Sequence, residues 1–385
     1  MLAVLAARPQ PELNLAGEYG LFVSEQADSL VVQWITNEPV PGFIRVTAGD
    51  KTVFERETPA GNAHRAAFRV KDTVLSLEYG SRAEPHVTVI DRKPQRRAAV
   101  QNSATDSIYV LGDTHGEYDS VMRLLQMTGL VDEQLRWAGG RKRLVLLGDV
   151  ADRGPDVTKL FWLLYRLERE AELQQGRVHL LLGNHEIMVM LGDVRYVHGK
   201  EQHIARLHDV GYAQMFDVRA SILGRWLSTK PAVLKVDRLL FVHGGVSSDY
   251  AAYTVQAHAD SVNAQMGREL FYAQADTTAR IQVDSLTFAR FEDFFWGERS
   301  VFWYRGYAQS DTLGGELDQL LRHVKADVQL IGHTAQARIH QKYNGKLILV
   351  HPREPGTEIL LLTRGPSGFV GERIALNGER ERLGD

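Results

Sequence analysis

Hydrophobic and polar residues alternate along the first quarter of the chain, with the two-residue period that is typical of β-strands. Leu30, Val32 and Trp34 fall on one face of such a strand. The turn sequence Ala48–Lys51 separates two later strands and predicts a hairpin. We therefore predict that residues 1–100 form an N-terminal domain, a small β-sandwich that ends in a polar linker.

After residue 100 the pattern changes to short apolar runs separated by helical stripes. Between the first two runs, Tyr118, Val121 and Leu125 recur at helical spacing. The apolar runs are Ile108–Leu111, Leu144–Leu147, Val178–Leu182, Leu239–Val242, Val328–Ile331, Leu347–Val350 and Ile359–Leu362. This alternation is typical of an α/β fold, and we assign residues 101–385 to it.

The composition of the 385 residues excludes several classes of protein. With 44% hydrophobic and 24% charged residues the chain can bury a core, which argues against wholesale disorder. The formal net charge of −3 gives no cationic excess, so we expect no nucleic-acid partner. No apolar run approaches the roughly 18–20 residues of a membrane span. The absence of cysteine excludes disulfides, thiolate metal sites and cysteine nucleophiles.

The first residues leave the compartment of the protein open. Met1–Ala7 is apolar and ends in small residues, as the tail of a secretory signal does. The stretch is short and lacks a basic region before it, which suits an ordinary chain start equally well. We therefore expect either a periplasmic or secreted protein or a cytoplasmic one, without a preference between them.

Polar residues of one kind follow the predicted strands of the second region. In open α/β sheets that edge is where ligands bind. Carboxylate, imidazole and amide groups dominate there, and together they suit a metal site of oxygen and nitrogen ligands. The segments are Gly112–Gly116 (GDTHG), Gly148–Gly154 (GDVADRG), Gly183–Glu186 (GNHE), His243–Gly245 (HGG) and Gly332–Thr334 (GHT).

The number of carboxylates in these segments favours two cations over one. Carboxylates that converged unaided would repel one another, and bound cations would neutralise that repulsion. Two ions about 3.5–4 Å apart can also hold a bridging hydroxide as a nucleophile. We expect Asp149 to lie between the ions and bridge them. The carboxylates concerned are Asp113, Asp149, Asp152 and Glu186.

In their order along the chain, the five motifs resemble those of the calcineurin-like metallophosphoesterases, and among these the phosphoprotein phosphatase branch. Asn184–Glu186, Leu191–Val197 and the aromatic Phe302–Gly306 resemble the Shewanella-like protein phosphatases, of the cold-active protein tyrosine phosphatase type. This resemblance covers about Ile108–Pro352 and implies a β-sandwich flanked by helices. More faintly, Val32–Thr36 resembles the fibronectin-like domain that precedes purple acid phosphatases, which implies a small all-β domain before the catalytic one.

The resemblance also implies which residues hold the metal ions. The ions implied are two, divalent or trivalent, with manganese, iron and zinc as the foremost candidates. The implied ligands are Asp113 and His115 for the first ion, Asp149 for both ions, and Asn184, His243 and His333 for the second ion.

Four further residues receive roles in catalysis and substrate binding from the same resemblance. His185 would lie beside the metals and protonate the leaving oxygen, and Asp152 would raise its basicity by a hydrogen bond. Arg153 would bind the phosphate, since a planar guanidinium suits a tetrahedral anion. Arg305 is our candidate for a second phosphate-binding arginine. For Glu186 we expect a local capping or pairing role instead.

Two interpretations of a segment rich in aromatic residues stay open. The segment could be a lid that packs on the core, or an apolar wall that accepts an aryl leaving group such as that of phosphotyrosine. Its aromatic residues are Phe291, Phe294, Phe295, Trp296, Phe302, Trp303, Tyr304 and Tyr307. His351, which also follows a predicted strand, is expected to be structural.

Together these features predict a dinuclear metal-dependent phosphomonoesterase. Its partner would be a phosphoprotein or phosphopeptide that carries phosphotyrosine, with phosphoserine or phosphothreonine as alternatives. Hydrolysis of dinucleoside polyphosphates is a second hypothesis, because enzymes of that kind resemble the same motif set. A non-catalytic metal-binding module is a hypothesis of another class, and the completeness of the ligand set argues against it.

Overall fold

The computed structural model describes residues 17–102, 107–275, 283–365 and 368–384 of the 385-residue chain. The apolar stretch Met1–Ala7, and with it the question of a secretory signal, lies outside the described residues. None of the described helices is long and apolar enough to cross a membrane.

The described strands of the N-terminal region form one five-stranded antiparallel sheet. They are β1 (Phe22–Gln26), β2 (Ser29–Ala48), β3 (Lys51–Phe68), β4 (Val74–Gly80) and β5 (Pro85–Asp91). The long β2 and β3 form the predicted hairpin, which turns at Gly49 with a φ of 55°. The all-β character is confirmed. The predicted sandwich of two sheets differs from this arrangement, because β1 and β4 both pair with β2 and join the strands into one sheet.

The strands after residue 100 form two six-stranded sheets. The twelve strands of the two sheets are β6 (Val100–Gln101), β7 (Ser107–Leu111), β8 (Arg143–Leu146), β9 (Arg177–Leu180), β10 (Val233–Val236), β11 (Leu239–Val242), β12 (Val328–Ile331), β13 (His340–Lys342), β14 (Leu347–Leu349), β15 (Glu358–Gly365), β16 (Gly368–Ala375) and β17 (Arg380–Arg382). One sheet has the order β13-β14-β12-β11-β10-β6 and the other has the order β17-β16-β15-β7-β8-β9. All seven apolar runs predicted from the sequence are confirmed as strands among these twelve.

A layer of apolar side chains fills the space between these two sheets. Ile108 and Val110 of β7 point into this layer and meet Phe241 from the other sheet, all fully buried. The alternate residues Tyr109 and Leu111 point the other way, into the core beneath the helices, as the two-residue period of a strand requires. The second region is therefore a β-sandwich flanked by helices, as the family resemblance implies.

Helices cover the outer faces of the two sheets. In α1, five apolar residues are buried, and four of them, beginning at Tyr118, are spaced as i, i+3, i+4 and i+7. The helices are α1 (Tyr118–Met127), α2 (Val157–Leu173), α3 (Asn184–Met190), α4 (Gly199–Leu207), α5 (Ile222–Leu227), α6 (Val255–Met266), α7 (Glu269–Ala275), α8 (Ser285–Trp296), α9 (Gly306–Gln309) and α10 (Gly314–Val324).

Most of the aromatic-rich segment packs into the core. Phe291 and Phe295 of α8 are fully buried, and their rings lie 5.0 Å apart. Phe302 and Tyr307 are fully buried as well. These residues therefore form a packed cover rather than a wall open to substrate. Trp303 is only partly buried, and its ring lies edge-on 5.7 Å from the ring of His333.

The N-terminal sheet packs tightly against the second region. Residues 30–36 of β2 are buried on both faces of the strand. Gln33 donates a buried hydrogen bond to the carbonyl of His208 (2.8 Å), and Trp162 of α2 donates one to the carbonyl of Leu21 (3.0 Å). The division of the chain at residue 100 stays a prediction, and β6 already pairs with β10 of the second region.

Candidate metal centre

Six strands from the two sheets end at one common edge, and a polar side chain follows each of them. The strands β7, β8 and β9 run parallel in one sheet, as do β11, β12 and β14 in the other. The side chains that follow them are less than 7% exposed. They are Asp113 and His115 after β7, Asp149 after β8, Asn184 and His185 after β9, His243 after β11, His333 after β12 and His351 after β14.

Four of these residues form one group, in which Asp149, Asn184 and His333 each place a polar atom near Nε2 of His243. Nδ1 of His243 donates to the carbonyl oxygen of Leu147 (2.9 Å), so Nε2 is the ring nitrogen that faces the other three residues. Nε2 lies 2.9 Å from Oδ1 of Asn184, 3.1 Å from Nδ1 of His333 and 3.3 Å from Oδ2 of Asp149. Such a set of oxygen and nitrogen atoms could hold one cation.

A second group of ligand atoms lies on the other side of Asp149. His115 donates from Nδ1 to the carbonyl of Ala151 (2.8 Å), so its Nε2 is free to bind a cation. That Nε2 lies 4.0 Å from Oδ2 of Asp113 and 3.9 Å from Oδ2 of Asp149. Oδ2 of Asp149 therefore faces both groups, as a bridging carboxylate must.

The protonation states of the histidines fit a metal centre. Burial lowers the pKa of His115 to about 4 and that of His333 to about 3, so both rings are neutral and offer a lone pair. Burial also acts to lower the pKa of His243, but the carboxylate of Asp149 outweighs it and raises the pKa to about 9. A cation bound among these atoms would compete with a proton for Nε2 of His243.

The backbone at this edge is held in conformations that cost energy. Five residues other than glycine have φ between 43° and 67°, a region that side chains normally avoid. A Cβ atom on Gly183 would lie 2.2 Å from Oδ1 of Asp149, so only glycine leaves room for that carboxylate. The strained residues are His115, Asp149, Asp152, Arg153 and His333.

His185 and Asp152 form a buried pair beside the two groups of ligand atoms. Nδ1 of His185 donates to Oδ2 of Asp152 (2.7 Å), and Nε2 faces Oδ2 of Asp149 at 3.9 Å. Burial acts to lower the pKa of His185, but the two carboxylates outweigh it and raise the pKa above its usual range. The ring can therefore hold and release a proton at Nε2, next to the candidate metal centre.

The two predicted phosphate-binding arginines flank the same edge. Arg153 is exposed, and its guanidinium lies 3.2 Å from Nε2 of His185. Arg305 is half-buried on the opposite side and donates to the carbonyl of His333 (3.0 Å) and to Oγ1 of Thr334 (3.3 Å). Two cationic side chains thus contact residues of the candidate metal centre, and their role in binding phosphate stays a prediction.

Glu186 has the local role that the sequence predicts for it. Its carboxylate accepts hydrogen bonds from the backbone of Asp149, Val150, Ala151 and Gly183, each 2.8–2.9 Å long. These bonds hold the loop after β8 against the start of α3. Of the four carboxylates expected at the edge, only those of Asp113 and Asp149 face the candidate metal centre.

Sequence reasoning missed two residues at this edge. His351 was expected to be structural, yet its Nε2 lies 3.5 Å from Oδ2 of Asp113. Tyr196 is 50% exposed, and its ring lies edge-on 5.6 Å from the ring of His185. A histidine directly after an apolar run was the available signal for His351, whereas nothing in the local sequence marks Tyr196.

The chain belongs to the calcineurin-like phosphoesterase family. The sequence profile of that family matches residues 107–337, more than half of the chain, and this match confirms the resemblance predicted from the motifs. The protein is therefore a metallophosphoesterase, a hydrolase that acts on phosphoesters and binds divalent metal ions. Among the described residues, two buried groups that share Asp149 could hold those ions: His115 and His185 with Asp149, and His243 and His333 with Asp149.

The chain is also similar to individual proteins, some of which are protein phosphatases. An uncharacterized protein of Schizosaccharomyces pombe is 31% identical over 284 residues, 70% of this chain and 76% of its own length. Shewanella-like protein phosphatase 2 of Arabidopsis thaliana is 40% identical over 92 residues, which is 24% of either chain. The crystal structure of a cold-active protein tyrosine phosphatase from a psychrophilic Shewanella species is 25% identical, with a TM-score of 0.68. That match covers 94% of this chain and 98% of the other.

Proposed function

We propose that this protein is a dinuclear phosphomonoesterase that removes phosphate from phosphoproteins, with a preference for phosphotyrosine. One observation carries the dinuclear assignment: ligand atoms form two groups on either side of Asp149, and the His185–Asp152 pair lies directly beside them. The first ion would be held by Asp113, His115 and Asp149. The second would be held by Asp149 together with Asn184, His243 and His333.

Each remaining residue of the edge then has a task in the reaction. Two bound cations would neutralise phosphate charge and activate a water molecule. Arg153 and Arg305 would orient the phosphate from opposite sides, since each offers a planar set of donors to its oxygens. His185 would deliver a proton from Nε2 to the departing oxygen while Asp152 holds its Nδ1. The leaving group therefore departs on the side of His185.

The preference for an aryl phosphate rests on Tyr196. This ring is half-exposed next to His185, on the side from which the leaving group departs. The backbone N–H of Arg153 donates to the carbonyl of Tyr196 (2.9 Å), which ties the ring's position to the phosphate-binding loop. A phenolic leaving group could pack against this ring. The similarity to a cold-active protein tyrosine phosphatase supports the same substrate class.

The proposed function is tested by metal analysis followed by a comparison of substrates. We expect two metal ions per chain after reconstitution with Mn²⁺, and higher kcat/KM for a phosphotyrosine peptide than for the matched phosphoserine peptide. A dinucleoside tetraphosphate assayed in parallel should be a poor substrate. Higher kcat/KM for the dinucleotide than for both peptides would refute the proposal in favour of nucleotide hydrolysis.

A pair of variants tests the role of Tyr196 within that function. Tyr196→Ala should lower kcat/KM for the phosphotyrosine peptide by roughly 2–10-fold, the effect of about 0.5–1.5 kcal/mol for an aromatic pair. Tyr196→Phe keeps the ring and should act like the wild type. Turnover of the phosphoserine peptide should change little in either variant. An equal loss on both peptides in Tyr196→Ala would show that the ring supports the loop rather than the leaving group.

A further inference from the structure

His351 lies directly beside the candidate metal centre, after the strand β14. It is 4% exposed, and points its Nε2 at Oδ2 of Asp113, 3.5 Å away. Its ring centroid lies 6.4 Å from that of His115. The other carboxylate oxygen of Asp113, Oδ1, accepts the backbone N–H of His333 (2.9 Å), so Oδ2 is the oxygen left for a cation.

Neither neutral form of this imidazole is satisfied by the protein groups that the structure describes. Its Nδ1 is buried without a hydrogen-bond partner among them. With the proton on Nδ1, the lone pair of Nε2 would face the lone pairs of Asp113. With the proton on Nε2, Nδ1 would be a buried acceptor without a donor, which costs free energy. A cation between Nε2 and Oδ2 of Asp113 would turn the unfavourable contact of the first form into two coordination bonds.

The distance between the two atoms fits ligands of one ion. Metal bonds to imidazole nitrogen and carboxylate oxygen are about 2.0–2.2 Å long, so two ligands of one ion lie no more than about 4.4 Å apart. The 3.5 Å from His351 to Asp113 falls within this limit. The distances from His115 to Asp113 (4.0 Å) and to Asp149 (3.9 Å) do so as well.

The fold holds His351 in this place through its backbone. The carbonyl of His351 accepts a hydrogen bond from the backbone N–H of Gln336 (2.9 Å). A Cβ atom on Gly112 would lie 2.4 Å from the carbonyl oxygen of Val350 and 3.0 Å from Cα of His351. The glycine before Asp113 thus lets the chain at His351 approach from the opposite sheet.

We propose that His351 is a further protein ligand of the first metal ion, joining Asp113, His115 and Asp149. This assignment rests on the dinuclear centre of the proposed function and adds to it. The first ion would have a nitrogen ligand from each of the two sheets, and both sheets would have to be in place for it to bind.

The test measures metal binding rather than turnover alone. Wild type, His351→Ala and His351→Phe are freed of metal, reloaded with Mn²⁺ and compared by metal content and by calorimetric titration. We expect two ions in the wild type. We expect both variants to keep one ion and to bind the other at least 10–100-fold more weakly, since loss of a mere outer partner of a ligand already costs that much. The electron paramagnetic resonance signal of a coupled Mn²⁺ pair should be lost in parallel.

Two controls separate a ligand from a structural residue. Phenylalanine keeps a buried ring but offers no lone pair to a cation, so wild-type Mn²⁺ affinity in a folded His351→Phe would overturn the proposal. Two tightly bound ions in a folded His351→Ala would overturn it as well. Substitution of the exposed His323, at the end of α10, should leave both ions in place.

The same experiment distinguishes this inference from the proposed function. If the wild type binds two ions and hydrolyses the phosphotyrosine peptide while the His351 variants bind both ions normally, only the assignment of His351 fails. If the wild type itself binds fewer than two ions, the dinuclear centre fails and the inference with it. A fall in melting temperature of the metal-free His351→Ala with unchanged Mn²⁺ affinity would indicate a packing role and contradict the proposal.

Discussion

Replacing the buried Glu201 by glutamine should remove a specific pH dependence from the stability of this protein. Glu201 lies in α4, fully buried, and its carboxylate accepts hydrogen bonds from the backbone N–H (3.1 Å) and the hydroxyl (2.5 Å) of Thr158 at the start of α2. Next to it, Lys200 pairs with Asp156 at 2.8 Å. These contacts hold the start of α4, which follows Tyr196 in the chain, against the start of α2, which follows Arg153.

Burial raises the pKa of Glu201 from 4.5 to about 7, and the hydrogen bonds from Thr158 offset this only in part. The folded protein thus favours the neutral acid. The stability that this acid contributes is fully present below pH 4.5 and is lost as the pH rises through about 7. A shift of this size, at 1.36 kcal/mol per pKa unit, corresponds to about 3 kcal/mol.

Glutamine has nearly the same shape and does not titrate. Like the neutral acid, it can accept from the backbone N–H of Thr158 through one atom and donate to the Thr158 hydroxyl through the other. Between pH 5 and pH 8, we expect the unfolding free energy of the wild type to fall relative to that of Glu201→Gln by most of the about 3 kcal/mol given above. Urea denaturation in the presence of a chelator, at several pH values, measures the difference. A substitution of the exposed Glu133 by glutamine is the control. A difference between wild type and Glu201→Gln that stays constant with pH would refute the reasoning.

Three further substitutions test the candidate metal centre. Asp149→Asn should lose both metal ions and activity, because a neutral amide does not share charge between two cations, and retention of two ions by elemental analysis would contradict the bridging role. His185→Asn should keep the metals and slow hydrolysis of an alkyl phosphate by roughly 10²–10⁴. The loss should be smaller for nitrophenyl phosphate, whose leaving group needs less protonation, and an equal loss on both substrates would argue against proton transfer. Gly112→Ala places a Cβ 2.4 Å from the carbonyl oxygen of Val350 and should cost about 1–3 kcal/mol of stability, measured by denaturation.

The strands and the residues at their ends could be predicted because the information for them is local. An apolar run such as Val328–Ile331 followed by Gly332 and His333 indicates a buried strand and a sharp turn without reference to the rest of the chain. Several such turns, each with a carboxylate, imidazole or amide group, predict a metal centre at one edge. The comparison with known families confirmed the class of enzyme that these motifs indicate.

The arrangement of the N-terminal region could be predicted only in part, because some of its contacts join segments that are far apart in the sequence. Alternation in β2 correctly indicates a strand with one face in a core. It does not indicate that the other face also packs, because Gln33 is polar and its partner, the carbonyl of His208, belongs to the backbone of a distant segment. Nor does alternation show that β1 and β4 pair with the same strand and make one sheet.

The sequence by itself determined the family, the strands and the motif residues, because a strand or a motif is recognised from residues within a few positions of one another. The tertiary structure alone decided which other side chains lie at the candidate metal centre. His351 is more than 200 positions from Asp113 and reaches it because β7 and β14 end at the same edge of two facing sheets. The ring of Tyr196 lies beside that of His185, and the backbone carbonyl of Tyr196 accepts a hydrogen bond from the backbone N–H of Arg153. Contacts of this kind depend on how the sheets and loops pack, and no periodicity in the sequence records that packing.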